Sequence, residues 1–306
     1  MTASDSQRAR LARALDALEG LSVGDAFGER FFVKPSVVEG LIDARALPPP
    51  PWAYTDDTEM ALGILEVLEA RGRIEQDLLA EVFARRYRRN RHRGYGGTAH
   101  EILQKISVGI SWREAASEPF DGAGSMGNGG AMRVAPLGAW FAEDDDARIV
   151  EEARASAEVT HFNSEGQAGA IAIAVAAAWA ARSRHKVAEP DSLFEHVLAL
   201  TPPSTTWKGI RKAARWSLDA TPTSAARELG SGQRVLAVDT VPFAIWCAAR
   251  HLDSYEDAMW TTVSGLGDRD TTCAITGGIV AARLGAEAIP QDWRRAREPL
   301  QRRSST

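Results

Sequence analysis

The sequence has few cysteines and no long apolar segment. Only two of its 306 residues are cysteines, Cys247 and Cys273, and both lie within apolar helical patterns, so no disulfide framework is expected. The longest apolar stretch, residues 168–181, is mostly alanine and is too short to cross a bilayer. The N-terminal residues lack the continuous apolar core of a secretory signal. We therefore expect a cytoplasmic protein with no membrane partner.

The chain also lacks an excess of positive charge. Its 36 lysines and arginines against 41 acidic residues give a net charge of −5, which provides no general attraction to nucleic acid. The exception is the segment Arg85–Arg93, with six arginines in nine residues. This segment is the best argument for a nucleic-acid-binding protein. It also fits a solvated helix end, where arginine complements the helix dipole, and we favour that interpretation.

Helical periodicity fills most of the chain, and clear strand patterns are missing. Met60, Ile64, Val67 and Leu68, for example, recur at the spacing of one face of an amphipathic helix. Residues 31–36 or 234–238 are expected to form short extended pieces at most. We predict a single compact all-α domain over residues 1–306, monomeric, with helices at 7–21, 59–70, 76–87, 99–106, 147–159, 165–181, 193–200, 208–218, 241–251, 255–263 and 271–284.

Two acidic segments stand near opposite ends of the chain. The first is Tyr54-Thr55-Asp56-Asp57-Thr58-Glu59-Met60, and the second is Gly267-Asp268-Arg269-Asp270-Thr271-Thr272. Each places two carboxylates and a threonine hydroxyl within four residues, and oxygen donors of this kind suit hard divalent cations. Neither segment alone completes a coordination shell. The sequence therefore predicts a metal site that folding assembles from both segments.

Each acidic segment also has another interpretation. Asp56 and Glu59 have the spacing of a capping box at a helix N-terminus, which for one segment alone would be the better interpretation. Two segments of the same composition favour a shared cation instead. Asp268, Asp270 and Thr272 match the D-x-D-x-T pattern of aspartyl-phosphate phosphatases. That motif follows an apolar strand early in an α/β domain, whereas this segment lies near the end of a helical chain.

A glycine-rich segment and a histidine complete the candidate site. The segment consists of Gly124, Ser125, Met126, Gly127, Asn128, Gly129 and Gly130. Closely spaced glycines let backbone N–H groups surround an anion. By itself the segment would be a tight turn before a helix, but beside a metal it is a candidate cradle for a diphosphate. His161 lies at a break between two helical segments, where a site role and a buried structural role are both open.

Taken in order, these segments resemble the ADP-ribosylglycohydrolase family, which includes the dinitrogenase reductase-activating glycohydrolases. The matching pieces cover 24–271, and they are Gly24-Asp25-Ala26-Phe27-Gly28, residues 54–60, Arg93-Gly94-Tyr95-Gly96, residues 125–138, Thr160-His161 and residues 267–271. As a set they are specific, although each piece is short.

The resemblance implies an all-α fold with two magnesium ions, or manganese in their place, in a central cleft. The implied metal ligands are Thr55, Asp56, Asp57, Asp268, Asp270 and Thr271. ADP-ribose would bind to the glycine-rich segment from Gly124 to Gly130, with His161 close to the ribose and Tyr95 as a further substrate contact.

The sequence departs from the family pattern at three places. Phe32 stands where many members carry a glutamate, and Glu29 is the nearby carboxylate that could replace it in acid–base catalysis. Arg269 stands where a small residue is common. After His161, the chain continues Phe162-Asn163-Ser164 instead of x-His-Pro. These departures leave the cleaved linkage open.

The predicted function is magnesium-dependent hydrolysis of an ADP-ribosyl bond, with Asp56 or Asp57 as the base. The modified target is expected to be a protein side chain. One alternative is a catalytically silent relative that binds ADP-ribose or has a structural role. The other is a nucleic-acid-binding protein built on Arg85–Arg93; otherwise nucleic acid is expected only as a modified substrate.

Overall fold

The computed structural model describes residues 3–187 and 189–302, in which helices are the only extended regular structure. The α-helices are α1 (Ala3–Glu29), α2 (Pro35–Asp43), α3 (Asp56–Arg71), α4 (Gln76–Arg89), α5 (Gly97–Ser107), α6 (Trp112–Ser117), α7 (Gly129–Met132), α8 (Ala135–Trp140), α9 (Asp146–Glu158), α10 (Ser164–Arg182), α11 (Pro190–Leu200), α12 (Thr205–Ala213), α13 (Pro222–Leu229), α14 (Ala237–Arg250), α15 (Tyr255–Val263), α16 (Arg269–Leu284) and α17 (Gln291–Ala296). A short 3₁₀ turn covers Ala286–Ala288. Within the described ranges the fold is all-α, as predicted.

The alanine-rich helix α10 lies at the centre of the core. Its residues 168–178 are almost completely buried, which explains why this helix is apolar on every face instead of amphipathic. It packs against α7, α8, α9, α11, α14 and α16. Its small side chains allow these helices to approach closely.

Three glycines on α1 allow a close antiparallel contact with α16. A Cβ atom at Gly24 would lie 2.2 Å from the carbonyl oxygen of Cys273, and one at Gly28 would lie 2.2 Å from that of Arg269. One turn earlier, Gly20 meets the backbone of Gly277 in the same way. Such distances are shorter than any side chain tolerates, so glycine is required. The contact places the last turns of α1 against the first turn of α16.

Several helix boundaries differ from the prediction. Residues 31–36 were expected to be extended at most, which is wrong because Pro35 occupies the first position of α2, where its fixed φ favours a helix. Residues 234–238 were expected to form a short extended piece at most; Leu236 forms an isolated antiparallel bridge with Gly127, and α14 begins at Ala237. The predicted helix at 208–218 begins earlier and ends at Ala213, since the Ser204 side chain accepts a hydrogen bond from Trp207 N and starts α12 at Thr205. Among the described helices, none is long and apolar enough to span a membrane.

The arginine-rich segment Arg85–Arg93 is largely engaged in internal contacts. Arg86 is buried and forms an ion pair with Glu59 at 2.7 Å, and Arg85 pairs with Glu66 at 2.5 Å. Arg93 pairs with Glu298 and lies 4.0 Å above the ring of Tyr54. Arg86, Arg88 and Arg89 lie in the last turn of α4, as expected for a helix end, but Arg86 is buried and not solvated as predicted. These contacts favour a structural role of the segment over nucleic-acid binding.

Candidate active site

Both acidic segments and the glycine-rich segment line one cleft of about 530 Å³. The predicted site residues on its wall are Asp56, Asp57, Ser125, Met126, Gly127, Asn128, Gly129, His161, Asp268, Asp270 and Thr271. Of the other predicted residues, Glu29, Thr55, Tyr95, Gly124 and Gly130 do not contribute to the described lining. The fold thus brings together segments that are more than 200 positions apart in the sequence.

Each acidic segment occupies the start of a helix. Thr55 is the N-cap of α3, where its hydroxyl oxygen accepts from Asp57 N at 3.4 Å, and Asp268 precedes the first residue of α16. The capping box expected from Asp56 and Glu59 is not formed, because Thr55 takes the cap position and Glu59 pairs with Arg86. The carboxylates of Asp56 and Asp57 therefore remain at the positive end of the α3 dipole.

Asp25, a buried residue of α1, holds the start of α3 in place. Its carboxylate accepts hydrogen bonds from Thr55 N at 3.0 Å, from Thr55 Oγ1 at 2.8 Å and from Thr58 N at 3.1 Å. The hydroxyl of Thr58 also donates to it. One carboxylate thus satisfies N–H groups at the start of a helix 30 positions later in the sequence. The sequence interpretation assigned Asp25 no role, although it lies in the matched segment Gly24–Gly28.

The buried carboxylates of the cleft are held close enough to repel one another. Burial and the neighbouring charge of Asp25 raise the pKa of Asp56 to about 8. Burial, with Asp25 and Asp270 nearby, raises the pKa of Asp57 well above its usual value. Burial and Asp268 have the same effect on the pKa of Asp270. A cluster of this kind is energetically costly when ionised unless a cation neutralises it.

Two carboxylate oxygens at the meeting point of the acidic segments have no hydrogen-bond partner within the described structure. They are Asp57 Oδ2 and Asp270 Oδ1, both buried. Buried polar atoms are nearly always paired, so these oxygens are suited to a ligand such as a hard cation. As arranged in the described ranges, no three His, Cys, Asp or Glu side chains form a preassembled metal group. The oxygen donors present nevertheless fit a divalent cation.

The glycine-rich segment curves around His161. The backbone of Gly124 has a φ of +72°, and a Cβ atom there would lie 2.8 Å from Asn163 N. A Cβ atom at Gly129 would lie 3.0 Å from the imidazole ring of His161. His161 Nδ1 is 2.8 Å from Thr160 Oγ1, which also accepts from buried Arg133. Burial, followed by the charge of Arg133, lowers the pKa of His161 to about 3, so the imidazole is neutral at physiological pH.

A loop that the sequence interpretation missed, residues 230–236, forms another wall of the cleft. Arg234, Val235 and Leu236 contribute to the lining. The loop is joined to the glycine-rich segment by hydrogen bonds from Asn128 N to Val235 O at 3.1 Å and from Ala237 N to Met126 O at 3.0 Å. Asp268 N donates to Ser231 O at 2.9 Å. Because these contacts join residues that are far apart in the sequence, no local motif predicts them.

The C-terminal segment, residues 297–302, supports the first acidic segment from outside the cleft. Glu298 accepts a hydrogen bond from Tyr54 N at 3.0 Å and forms an ion pair with Arg93. Arg93 in turn donates to Tyr54 O at 2.8 Å, and its own carbonyl accepts from Asp56 N at 2.7 Å. The backbone immediately before Asp57 is therefore fixed from two sides.

Two of the departures from the family pattern contact each other. The guanidinium of Arg269 lies 4.7 Å above the ring of Phe32, which is half exposed, and donates to the carbonyl of Phe31. Glu29, the proposed substitute carboxylate, is an exposed residue at the end of α1. Partial burial of its carboxylate and the charges of Asp25 and Asp268 raise its pKa. It is close to the acidic cluster although it does not line the cleft.

Tyr95 occupies an aromatic cluster behind the cleft wall. Its ring packs at 5.2 Å from that of Tyr87 and at 5.8 Å from His100. Its neighbours Gly94 and Gly96 line the cleft, whereas the buried Tyr95 side chain is not part of the described lining. The geometry therefore favours a supporting role for this tyrosine over a direct substrate contact.

Replacing Gly129 by valine tests the glycine-rich segment. The added Cβ and methyl groups would meet the ring of His161 and fill the space that a diphosphate would use. We expect ADP-ribose affinity to fall about tenfold or more with metal binding retained, measured by calorimetry. The matched control is Gly40→Val on α2, where a Cβ atom meets nothing within 4 Å. Unchanged ADP-ribose affinity in Gly129→Val would mean that the segment is a structural turn and does not bind the diphosphate.

Comparisons with known proteins found similar sequences over nearly the whole chain. A family model described as ADP-ribosylglycohydrolase matches residues 6–304. ADP-ribosylhydrolase ARH3 of Bos taurus is 28% identical, over 97% of this chain and 93% of the relative. ADP-ribosylarginine hydrolase Tri1 of Serratia proteamaculans is 26% identical, over 92% of this chain and 74% of the relative.

A solved structure has the same fold. It is described as an ADP-ribosylglycohydrolase-related protein complex and superimposes with a TM-score of 0.67 at 28% sequence identity. The match covers 94% of this chain and 93% of that one.

Proposed function

The chain belongs to the ADP-ribosylglycohydrolase family, a family of glycosyl hydrolases, and we propose that it removes ADP-ribose from a modified protein side chain in a magnesium-dependent reaction. One observation carries this proposal: two acidic helix starts, a glycine-rich segment and a neutral histidine share a single cleft. Carboxylates on one side and a glycine-rich backbone on the other suit a ligand that carries both ribose hydroxyls and a diphosphate.

The residues that would hold the metal are Thr55, Asp56, Asp57, Asp268, Asp270 and Thr271. Two magnesium ions, or manganese ions, would neutralise this cluster, orient the ribose hydroxyls and lower the pKa of a bound water. The unpaired oxygens of Asp57 and Asp270 support this assignment.

The chain's own residues would bind and orient the substrate and move two protons, one from the attacking water and one to the leaving group. Backbone N–H groups of the glycine-rich segment would bind the diphosphate, except those of Gly124, Gly127 and Asn128, which donate within the protein. Neutral His161 would lie beside the ribose. Water attacks the anomeric carbon while the bond to the target breaks, through an oxocarbenium-like transition state. The attacking water would give its proton to a carboxylate oxygen of Asp56 or Asp57. Glu29 is the proposed donor of the proton that the leaving group takes up.

A panel of substrates tests which bond between ADP-ribose and its target the protein cleaves. Arginine-, serine- and DNA-linked ADP-ribose are incubated with the protein, with and without magnesium, and released ADP-ribose is quantified. We expect release from a protein-linked substrate only in the presence of a divalent cation. Binding of ADP-ribose without release from any substrate would instead support the catalytically silent relative. Monomeric state and cytoplasmic location stay predictions.

Replacing Glu29 by glutamine tests the acid–base assignment. Loss of the proton should lower turnover by about 10²-fold or more, the usual contribution of a general acid or base, with little change in ADP-ribose affinity. The matched control is Glu39→Gln, an exposed glutamate on α2. Near-normal turnover in Glu29→Gln would remove this residue from the mechanism and make Phe32 a sign of altered substrate choice.

A further inference from the structure

Positive charge is scarce on the wall of the cleft. Among the described lining residues, only Arg133 and Arg234 carry a permanent positive charge, against the carboxylates of Asp56, Asp57, Asp268 and Asp270. Arg133 is fully buried, and its guanidinium is already bonded to Ser156 O at 3.0 Å and Thr160 Oγ1 at 2.8 Å. Arg133 is therefore fixed in the wall, whereas the Arg234 side chain is 64% exposed.

The loop that carries Arg234 is held rigidly next to the glycine-rich segment. Asp239 accepts from Arg234 N at 2.7 Å, and the backbone bonds to Met126 and Asn128 fix the other side of the loop. Gly232, at a φ of +81°, lets the loop approach Asp268, since a Cβ atom there would lie 2.5 Å from Asp268 Cβ. The backbone position of Arg234 is thus set independently of its side chain.

The guanidinium of Arg234 is only weakly engaged within the protein. Among the described residues, its one hydrogen-bonded side-chain partner is Asp239 Oδ1 at 3.3 Å, whereas the other oxygen of that carboxylate binds the Arg234 backbone. Asp239 is buried, but the Arg234 end of this pair is largely exposed and the contact is long, so the guanidinium can turn toward a stronger anionic partner while Arg234 N stays bonded to Asp239. Guanidinium groups bind phosphate through paired hydrogen bonds.

On these grounds, and resting on the proposed function, we propose that Arg234 is a substrate-binding residue whose guanidinium binds the diphosphate of ADP-ribose beside the glycine-rich segment. It compensates the repulsion that the acidic cluster exerts on an anionic substrate. A further consequence is that substrate affinity depends on ionic strength through this residue.

The experiment compares wild type, Arg234→Met, Arg234→Lys and the control Arg227→Met, an exposed arginine of α13. Calorimetry with ADP-ribose should show affinity reduced about tenfold in Arg234→Met, the size of one charge-assisted hydrogen bond, with an intermediate loss in Arg234→Lys. KM should rise by a similar factor while kcat at saturation stays within about twofold. Added salt should weaken the wild type more than Arg234→Met. Unliganded melting temperatures verify that the variants fold.

Two results would overturn the assignment separately from the proposed function. Equal ADP-ribose affinity in wild type and Arg234→Met, with the wild type binding normally, would remove Arg234 from the site and leave the hydrolase proposal intact. A fall in kcat with unchanged KM would also remove Arg234 as a binding residue. Absence of ADP-ribose binding and hydrolysis in the wild type itself would instead overturn the proposed function.

Discussion

Replacing Asp57 or Asp270 by asparagine should abolish the rise in melting temperature that magnesium causes in the wild-type protein. A ligand that binds only the native state stabilises it by about 2.7 kcal/mol at a hundredfold excess over its dissociation constant. Neutral amides are weaker ligands for hard cations, so each variant should lose most of this stabilisation. Hydrolysis should fall by about 10³-fold or more, which corresponds to about 4 kcal/mol of activation free energy.

The same variants distinguish a metal site from simple helix caps. Without metal they should melt no lower than the wild type, because each removes one charge from a crowded acidic cluster. A lost cap would lower stability by about 1 kcal/mol whether or not magnesium is present. Asp43→Asn, an exposed aspartate at the end of α2, serves as the control. A full magnesium-induced shift and normal turnover in both site variants would refute the shared metal centre.

Replacing Asp25 by asparagine should destabilise the protein even without metal. At pH 5 the wild-type carboxyl holds a proton but can still accept through both oxygens, whereas the amide nitrogen of the variant accepts none of the bonds from Thr55 and Thr58. Each buried donor left unsatisfied costs about 1–3 kcal/mol, so we expect a loss of about 3 kcal/mol in the free energy of unfolding at pH 5, measured in urea. Turnover should also fall about tenfold or more, since Thr55 and the start of α3 lose their support.

The raised pKa of Asp25 predicts how the stability difference between wild type and Asp25→Asn changes with pH. Burial raises the pKa of Asp25 to about 6, so the folded protein holds this proton at a pH at which the unfolded chain has released it. The stabilisation from Asp25 is therefore complete below about pH 4 and declines as the pH rises through 6. The difference between wild type and variant should accordingly be larger at pH 5 than at pH 8. Equal stability of the two proteins at pH 5 would contradict the role given to Asp25.

Local patterns predicted the helices and the residue types of the site. The helix at 255–263 is placed correctly to the residue, since Ser254 provides a side-chain cap and the apolar periodicity is clear. The error at Pro35 came from treating the residues after α1 as extended, although proline at a first helical position is a starting signal. The helix predicted at 165–181 agrees with α10 to within one residue at each end, although that helix is buried on nearly every side and is not amphipathic.

What sequence reasoning missed depends on contacts between distant residues. Asp25 looks like one acidic residue among glycines, and its role appears only when α1 lies against the start of α3. Arg234 carries no motif, and it reaches the cleft through backbone bonds between its loop and the glycine-rich segment. The acidic segments could be identified from the sequence because a hard cation binds oxygen ligands, and only a few residue types supply them. Their assignment as ligands, and the single domain over 1–306, stay predictions.

The contacts of the C-terminal segment bear on how the site is completed during synthesis. Asp25 lies only 30 positions from Thr55, so their hydrogen bonds can form early on a growing chain. Glu298 lies 244 positions after Tyr54, and Asp268 and Asp270 also emerge late from the ribosome. A partly synthesised chain therefore carries the first acidic segment without the partners that hold and complete it. The site can therefore be completed only after synthesis has passed Glu298, and a bulky group attached close to Glu298 would interfere with that final step.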